Sequence, residues 1–176
     1  MNLPNLITVV RIALAPVFIW VLLLFPNPGD HERWIAVALF VIASATDGVD
    51  GALARKRNQV TDLGKLLDPI ADKVLIGGAL VTLSLLGQVE WFITALILVR
   101  EIGITVYRLA VLRDRVIAAS GGGKLKTIMQ SIAVGFYLSP LAGYWAPVAV
   151  LQLAILYFAT VLTVVSGIQY LAAARK

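Results

Sequence analysis

The chain of 176 residues is 60% hydrophobic and only 14% charged, with a mean hydropathy of +0.89, whereas a soluble domain is about half apolar and about a quarter charged. The absence of cysteine excludes disulfides and thiolate metal sites, and a single histidine, His31, excludes a histidine-rich one. The net charge of +5 reads as lysine and arginine that orient a membrane protein, not as a nucleic-acid surface.

A spanning helix needs about 20 mostly apolar residues, and six segments meet that requirement. The first covers residues 6–25 and is interrupted by Arg11; Pro26, Pro28 and Gly29 break the chain after it. The second covers residues 33–54 and the third 65–86. Gly87 separates the third from the fourth, residues 89–112, which holds Arg100 and Glu101 near its middle. The fifth covers residues 126–144, and Gly143 with Pro147 marks the turn into the sixth, 146–173. The connections are too short to form further domains and no internal repeat is convincing, so one membrane domain over residues 1–176 is expected. The first ten residues carry no lysine or arginine and no small-residue cleavage site follows, so no signal peptide is expected.

Basic residues fall on one side of this layout. Arg55, Lys56, Arg57 and Lys65 flank the second connection, and Arg113, Arg115, Lys124 and Lys126 the fourth. Arg175 and Lys176 end the chain, while the opposite loops hold only Arg33. Both termini are therefore expected on the cytoplasmic side.

Residues 47–72 read DGVDGALARKRNQVTDLGKLLDPIAD and hold five of the ten acidic residues. Asp47 and Asp50 are spaced i, i+3, and Asp68 and Asp72 i, i+4, so each pair shares a face of its helix. A short connection makes the two spans antiparallel neighbours, and four carboxylates then converge near the cytoplasmic surface. Anions so placed repel one another and require cations. Carboxylates without Cys or His suit a hard divalent ion, magnesium or manganese. The plainer alternative is a salt-bridged packing network. Asp62 falls outside the spacing and reads as a solvated loop residue or cap. Gly48 and Gly51 bare the backbone beside the first pair, and Arg55 follows one turn later, placed to meet an anion. Two metals and an arginine suit phosphoryl transfer.

Asp47, Asp50, Gly51, Ala54 and Arg55, then Gly64, Asp68 and Asp72, match D-x-x-D-G-x-x-A-R, eight residues, G-x-x-x-D-x-x-x-D at every fixed position. In this the chain resembles the CDP-alcohol phosphatidyltransferases. The resemblance implies an all-α integral membrane protein of six transmembrane helices with the CDP-alcohol phosphotransferase fold, usually a homodimer. It implies transfer of a phosphatidyl group from CDP-diacylglycerol to an alcohol, with release of CMP. By the same carry-over Asp47, Asp50, Asp68 and Asp72 hold metal, two ions of Mg2+ or Mn2+. Asp72 is also the base for the acceptor hydroxyl, and Gly51, Arg55 and Thr61 contact the CDP-diacylglycerol head group.

Asn5, Thr8 and Arg11 recur every three residues on the first span. Interfacial anchoring, with Arg11 snorkelling to the lipid head groups, accounts for that spacing equally well. The opening MNLPNLITVVRIALAPVFI, with VREIGITVYRLAVL and SGGGKLKTIMQS, nevertheless resembles the bacterial phosphatidylglycerophosphate synthases. That likeness implies nucleotide contacts at Asn5 and Thr8 and makes glycerol 3-phosphate the acceptor, whose phosphate needs cations. Arg100 and Arg108, eight residues apart on the fourth span, are candidates, as are Lys124 and Lys126. A pair between Arg100 and Glu101 and a purely topogenic role for the two lysines are the alternatives. GGGK is not a P-loop, because Ala118 and Leu125 occupy the required Gly and Ser/Thr positions. Inositol phosphate, serine or phosphatidylglycerol as acceptor keeps the same chemistry. A divalent-cation transporter would leave Gly51 and Arg55 unexplained, and a membrane scaffold the four converging aspartates. The expected setting is a bacterial plasma membrane, with membrane lipids and no nucleic acid as partners.

Overall fold

The structure is a computed structural model that describes the backbone of residues 3–56, 62–111 and 121–174, and their side chains except at 3–6, 47–56, 62–69, 108–111, 121–124 and 174. The described residues form α1 (Leu3–Leu24), α2 (Arg33–Lys56), α3 (Asp62–Leu85), α4 (Trp91–Val111), α5 (Gly121–Leu138), the single-turn α6 (Leu141–Tyr144) and α7 (Ala146–Ala174). There are no strands among them.

The six long helices correspond to the six expected segments, with shifted ends. α5 begins at Gly121, so the glycine run is helical and Lys124 and Lys126 belong to the helix, not to a connection. It stops at Leu138 because Pro140 lacks an N–H and disfavours helix at the residue before it. Asp62, expected as a loop residue or a cap, is the first residue of α3.

α1 sets the core. Thr8, Arg11, Ala15, Phe18 and Leu22 are all buried, spaced three and four residues apart as one inward stripe. Arg11 is 1% exposed, so it points into the bundle and does not snorkel to head groups. α1 packs on both α2 and α3, and Phe18 meets Phe40 edge to face at 5.9 Å between ring centres. Among the described residues α2 and α3 touch each other less than either touches α1, so α1 fills the seam between the two acid-bearing helices. On α3, a Cβ at Gly77 would lie 2.9 Å from Leu98 and one at Gly78 2.9 Å from Ile19; these two positions let α4 and α1 approach from either side. α5 packs mainly on α7.

The outside is apolar. Val10, Trp20, Ile42, Phe92, Val150 and Val161, among others, are exposed, as expected for a surface against hydrocarbon. All four tryptophans, Trp20, Trp34, Trp91 and Trp145, are exposed and sit near the end of α1 or the starts of α2, α4 and α7. They form a belt at the end of the bundle away from the acidic motif, where amphipathic rings favour a membrane–water boundary. Within the described residues Ile7–Leu24 and Ala146–Ala173 are long and apolar enough to cross a membrane by themselves. The helices between them carry the charged clusters.

Candidate active site

Asp47, Asp50, Gly51 and Arg55 lie in the C-terminal part of α2, and Asp68 and Asp72 in the first half of α3. The helical backbone supplies the i, i+3 and i, i+4 spacing that puts each pair on one face. Of these side chains only that of Asp72 is among those described. Asn5, Arg108 and Lys124 are likewise helical positions whose side chains fall outside the description, and Thr61 falls outside it altogether.

Asp72 lines a cavity of about 20 Å³ where α3, α4 and α5 meet. Lys73 from α3, Glu101 from α4, and Lys126, Thr127 and Gln130 from α5 share its wall. Lys126 is 5% exposed and donates from Nζ to Glu101 Oε1 at 2.5 Å. Arg100 Nη1 donates to the same carboxylate oxygen at 2.8 Å. Arg100 Nη2 donates to Ser166 Oγ on α7 at 2.9 Å. Lys73 adds to the positive potential at Glu101. Three cations thus act on one carboxylate on the wall that also carries Asp72, in a setting of low dielectric. Such a cluster suits a small anion that would arrive next to Asp72.

The pair between Arg100 and Glu101 therefore forms, although sequence neighbours do not ordinarily face each other on a helix. It forms because both side chains bend towards the α5 and α7 side, where Lys126 and Ser166 hold their ends. Pairing does not exhaust the guanidinium, since each Nη carries two hydrogens. Thr8 and Arg11, singled out on α1, are both buried on its inner face.

A family model for the CDP-alcohol phosphatidyltransferases matches residues 1–165. The chain belongs to that family. A probable phosphatidylglycerophosphate synthase of Mycobacterium tuberculosis is 47% identical over 99% of this chain and 82% of its own length. A CDP-diacylglycerol–glycerol-3-phosphate 3-phosphatidyltransferase of Bacillus subtilis is 41% identical over 96% of this chain and 93% of its own. The protein of that name in Haemophilus influenzae is 39% identical, over 99% and 94%. The chain is thus a transferase of a membrane-embedded family that generally uses divalent metal ions.

Sequence reasoning missed the α7 side of this polar cluster. Thr163 and Ser166 are buried; Gln130 Nε2 donates to Thr163 Oγ1 at 2.7 Å and Arg100 reaches Ser166. Their signal was available: Gln152, Thr160, Thr163 and Ser166 recur at helical spacing in a segment otherwise read only as an apolar span.

Proposed function

We propose that the protein transfers the phosphatidyl group of CDP-diacylglycerol to glycerol 3-phosphate, giving phosphatidylglycerol phosphate and CMP. The names of the relatives support both substrates. The observation that carries the acceptor is the cationic cluster of Arg100, Lys126 and Lys73 lying beside Asp72. A dianionic phosphate held there would put its own glycerol hydroxyl within reach of a carboxylate base. A hydroxyl is a poor nucleophile until such a base takes its proton. Asp72 takes that role. The hydroxyl oxygen then attacks the phosphorus that bears diacylglycerol, the bond from that phosphorus to the bridging oxygen breaks, and CMP leaves. Arg100 and Lys126, with Arg108 and Lys124 on the same two helices, bind the acceptor phosphate. Gly51, Arg55 and Thr61, with Asn5 and Thr8, bind the nucleotide lipid.

The acidic residues fit a hard divalent cation by donor chemistry: Asp47, Asp50, Asp68 and Asp72 offer only carboxylate oxygens, on helical positions that share faces. Two ions of Mg2+ or Mn2+ held there would neutralise charge on the pyrophosphate and on departing CMP.

The lipid substrate has a path to this end of the bundle. An open apolar groove of about 650 Å³ runs between α2 and α5, from Trp34 to Ala45 on the first and from Thr127 to Phe136 on the second. Its α2 wall ends two residues before Asp47. An acyl chain lying there keeps its tail in hydrocarbon while the head group reaches the acidic motif. Six membrane-spanning helices, a homodimer, a bacterial plasma membrane and cytoplasmic termini complete the proposal, the last from the bias of lysine and arginine.

The test is CMP release from CDP-diacylglycerol by the purified protein, with a panel of acceptors and with or without divalent metal. Glycerol 3-phosphate should support release only when Mg2+ or Mn2+ is present. Release with inositol 1-phosphate, serine or phosphatidylglycerol but not with glycerol 3-phosphate would overturn the acceptor. Metal flux into liposomes without any nucleotide requirement would replace the enzyme with a transporter.

A further inference from the structure

α7 has no charged residue between Ala146 and Ala174, yet it receives the charged side chain of Arg100. Two neighbouring residues make this possible. Ser166 Oγ donates to Thr163 O at 3.0 Å, so its hydrogen is committed and its lone pairs are free to accept from Arg100 Nη2. At Gly167 the arginine lies across bare backbone: a Cβ there would meet both Cγ and Nε of Arg100 at 3.1 Å. Nε is buried and makes no hydrogen bond, so packing against Gly167 and not polar pairing locates that part of the side chain. Nη1 is tied to Glu101 on the other side. The guanidinium is therefore fixed at three points by residues of two helices, with one hydrogen left on each Nη.

We propose that Ser166 and Gly167 are positioning residues for the acceptor: they set the place and tilt of the Arg100 guanidinium, and through it the affinity for a phosphate-bearing alcohol. The inference rests on the reading that Arg100 binds the acceptor phosphate. A planar donor holds an oxyanion well only in a narrow range of orientations, and an ångström of displacement in a binding site costs up to about a hundredfold.

The experiment is steady-state CMP release by purified protein, with KM for glycerol 3-phosphate and for CDP-diacylglycerol measured separately for each variant. Gly167→Ala should raise KM for glycerol 3-phosphate about tenfold, and Ser166→Ala about fivefold. KM for CDP-diacylglycerol should stay within about twofold of the parent, a split that a loosened fold would not produce. In an Arg100→Lys background, which lacks the planar group, adding Gly167→Ala should cause no further rise. Ser166→Thr, which keeps the hydroxyl, should restore most of what Ser166→Ala loses. Arg100→Ala separates the two levels of the argument. If it raises KM for glycerol 3-phosphate while Ser166→Ala and Gly167→Ala do not, the positioning role is wrong and the phosphate role stands. If Arg100→Ala leaves that KM unchanged, the phosphate role fails and this inference with it. Should Gly167→Ala fail to fold, the Ser166 pair decides the matter.

Discussion

Arg33 and Arg100 both reach into this bundle, one fully buried and one half-buried, and they keep different company. Arg33 is fully buried at the start of α2. Its Nη2 donates to Gln88 Oε1 at 3.0 Å and to the Tyr137 carbonyl at 2.9 Å, while Nη1 and Nε are buried without hydrogen-bond partners. Gln88 Nε2 in turn donates to the Pro26 carbonyl at 2.7 Å, and Tyr144 Oη donates to that of Gly29 at 2.6 Å. A Cβ at Gly143 would run into the backbone of Gly29, so α6 lies directly on the α1–α2 turn. Arg33 is thus the knot of the tryptophan-belted end, tying the turn after α1, the α3–α4 turn and the end of α5. Arg100 instead meets a carboxylate and a hydroxyl, with Lys126 bonded to the same carboxylate and Asp72 on the same cavity wall. Burial alone therefore does not mark an arginine as functional. Arg33 donates to a carbonyl at the end of α5 and to an amide oxygen, whereas Arg100 belongs to a cluster of charged side chains.

The comparison is broken most sharply at the Asp72 end. Asp72→Asn should lower turnover by about 10²- to 10⁴-fold, the usual contribution of a positioned general base. Binding of CDP-diacylglycerol, followed with a labelled nucleotide lipid, should largely persist. Undiminished CMP release by this variant would remove Asp72 as the base and leave the cationic cluster without a chemical reason to lie there.

Arg33→Ala tests the other end, and its effect should be of another kind. The change strands the Tyr137 carbonyl and Gln88 Oε1, and a buried polar group left without its partner costs about 1–3 kcal/mol. Thermal unfolding in detergent should shift down accordingly, while both KM values of the folded fraction remain near the parent's. A selective rise in KM for glycerol 3-phosphate on losing Arg33 would erase the distinction between the two ends.

The two ends were unequally legible in the sequence. The acidic motif could be read because its chemistry rests on fixed spacings of three and four residues along a helix, which the chain displays directly in Asp47, Asp50, Asp68 and Asp72. The six long helices could be read because each is a long apolar run ended by Pro or Gly or by a charged stretch. Relations across the bundle could not. Arg33 looked like the lone basic residue of the opposite loops, because nothing local says that Gln88 and Tyr137, 55 and 104 residues away, will enclose it. Arg11 looked able to reach head groups, since only the packing of α1 into the α2–α3 seam decides which of its faces is internal. Arg100 stood out by its depth, but Ser166, which accepts from it, and Lys126, which shares Glu101 with it, lie 66 and 26 positions further on. The start of α5 was misplaced because a triple glycine ordinarily weakens a helix, yet the helix here begins at Gly121.

The smallest expected effect is at Gln88, and it probes what holds Arg33. Gln88→Ala removes one bond from Arg33 and one to Pro26, the second at an exposed position where water replaces it. The loss should be about 1 kcal/mol, less than that of Arg33→Ala, because Arg33 keeps its bond to Tyr137. Gln88→Glu is the sharper variant. It retains an acceptor for Nη2 and gives the buried guanidinium a counter-charge, which strengthens that hydrogen bond. It also loses the amide donor to Pro26 and sets a carboxylate against that carbonyl. These opposed changes are each about 1 kcal/mol, so melting should stay close to the parent's. A large gain in stability from Gln88→Glu would mean that the neutral hydrogen bonds, together with the nearby charge of Asp30, leave the charge of Arg33 undercompensated.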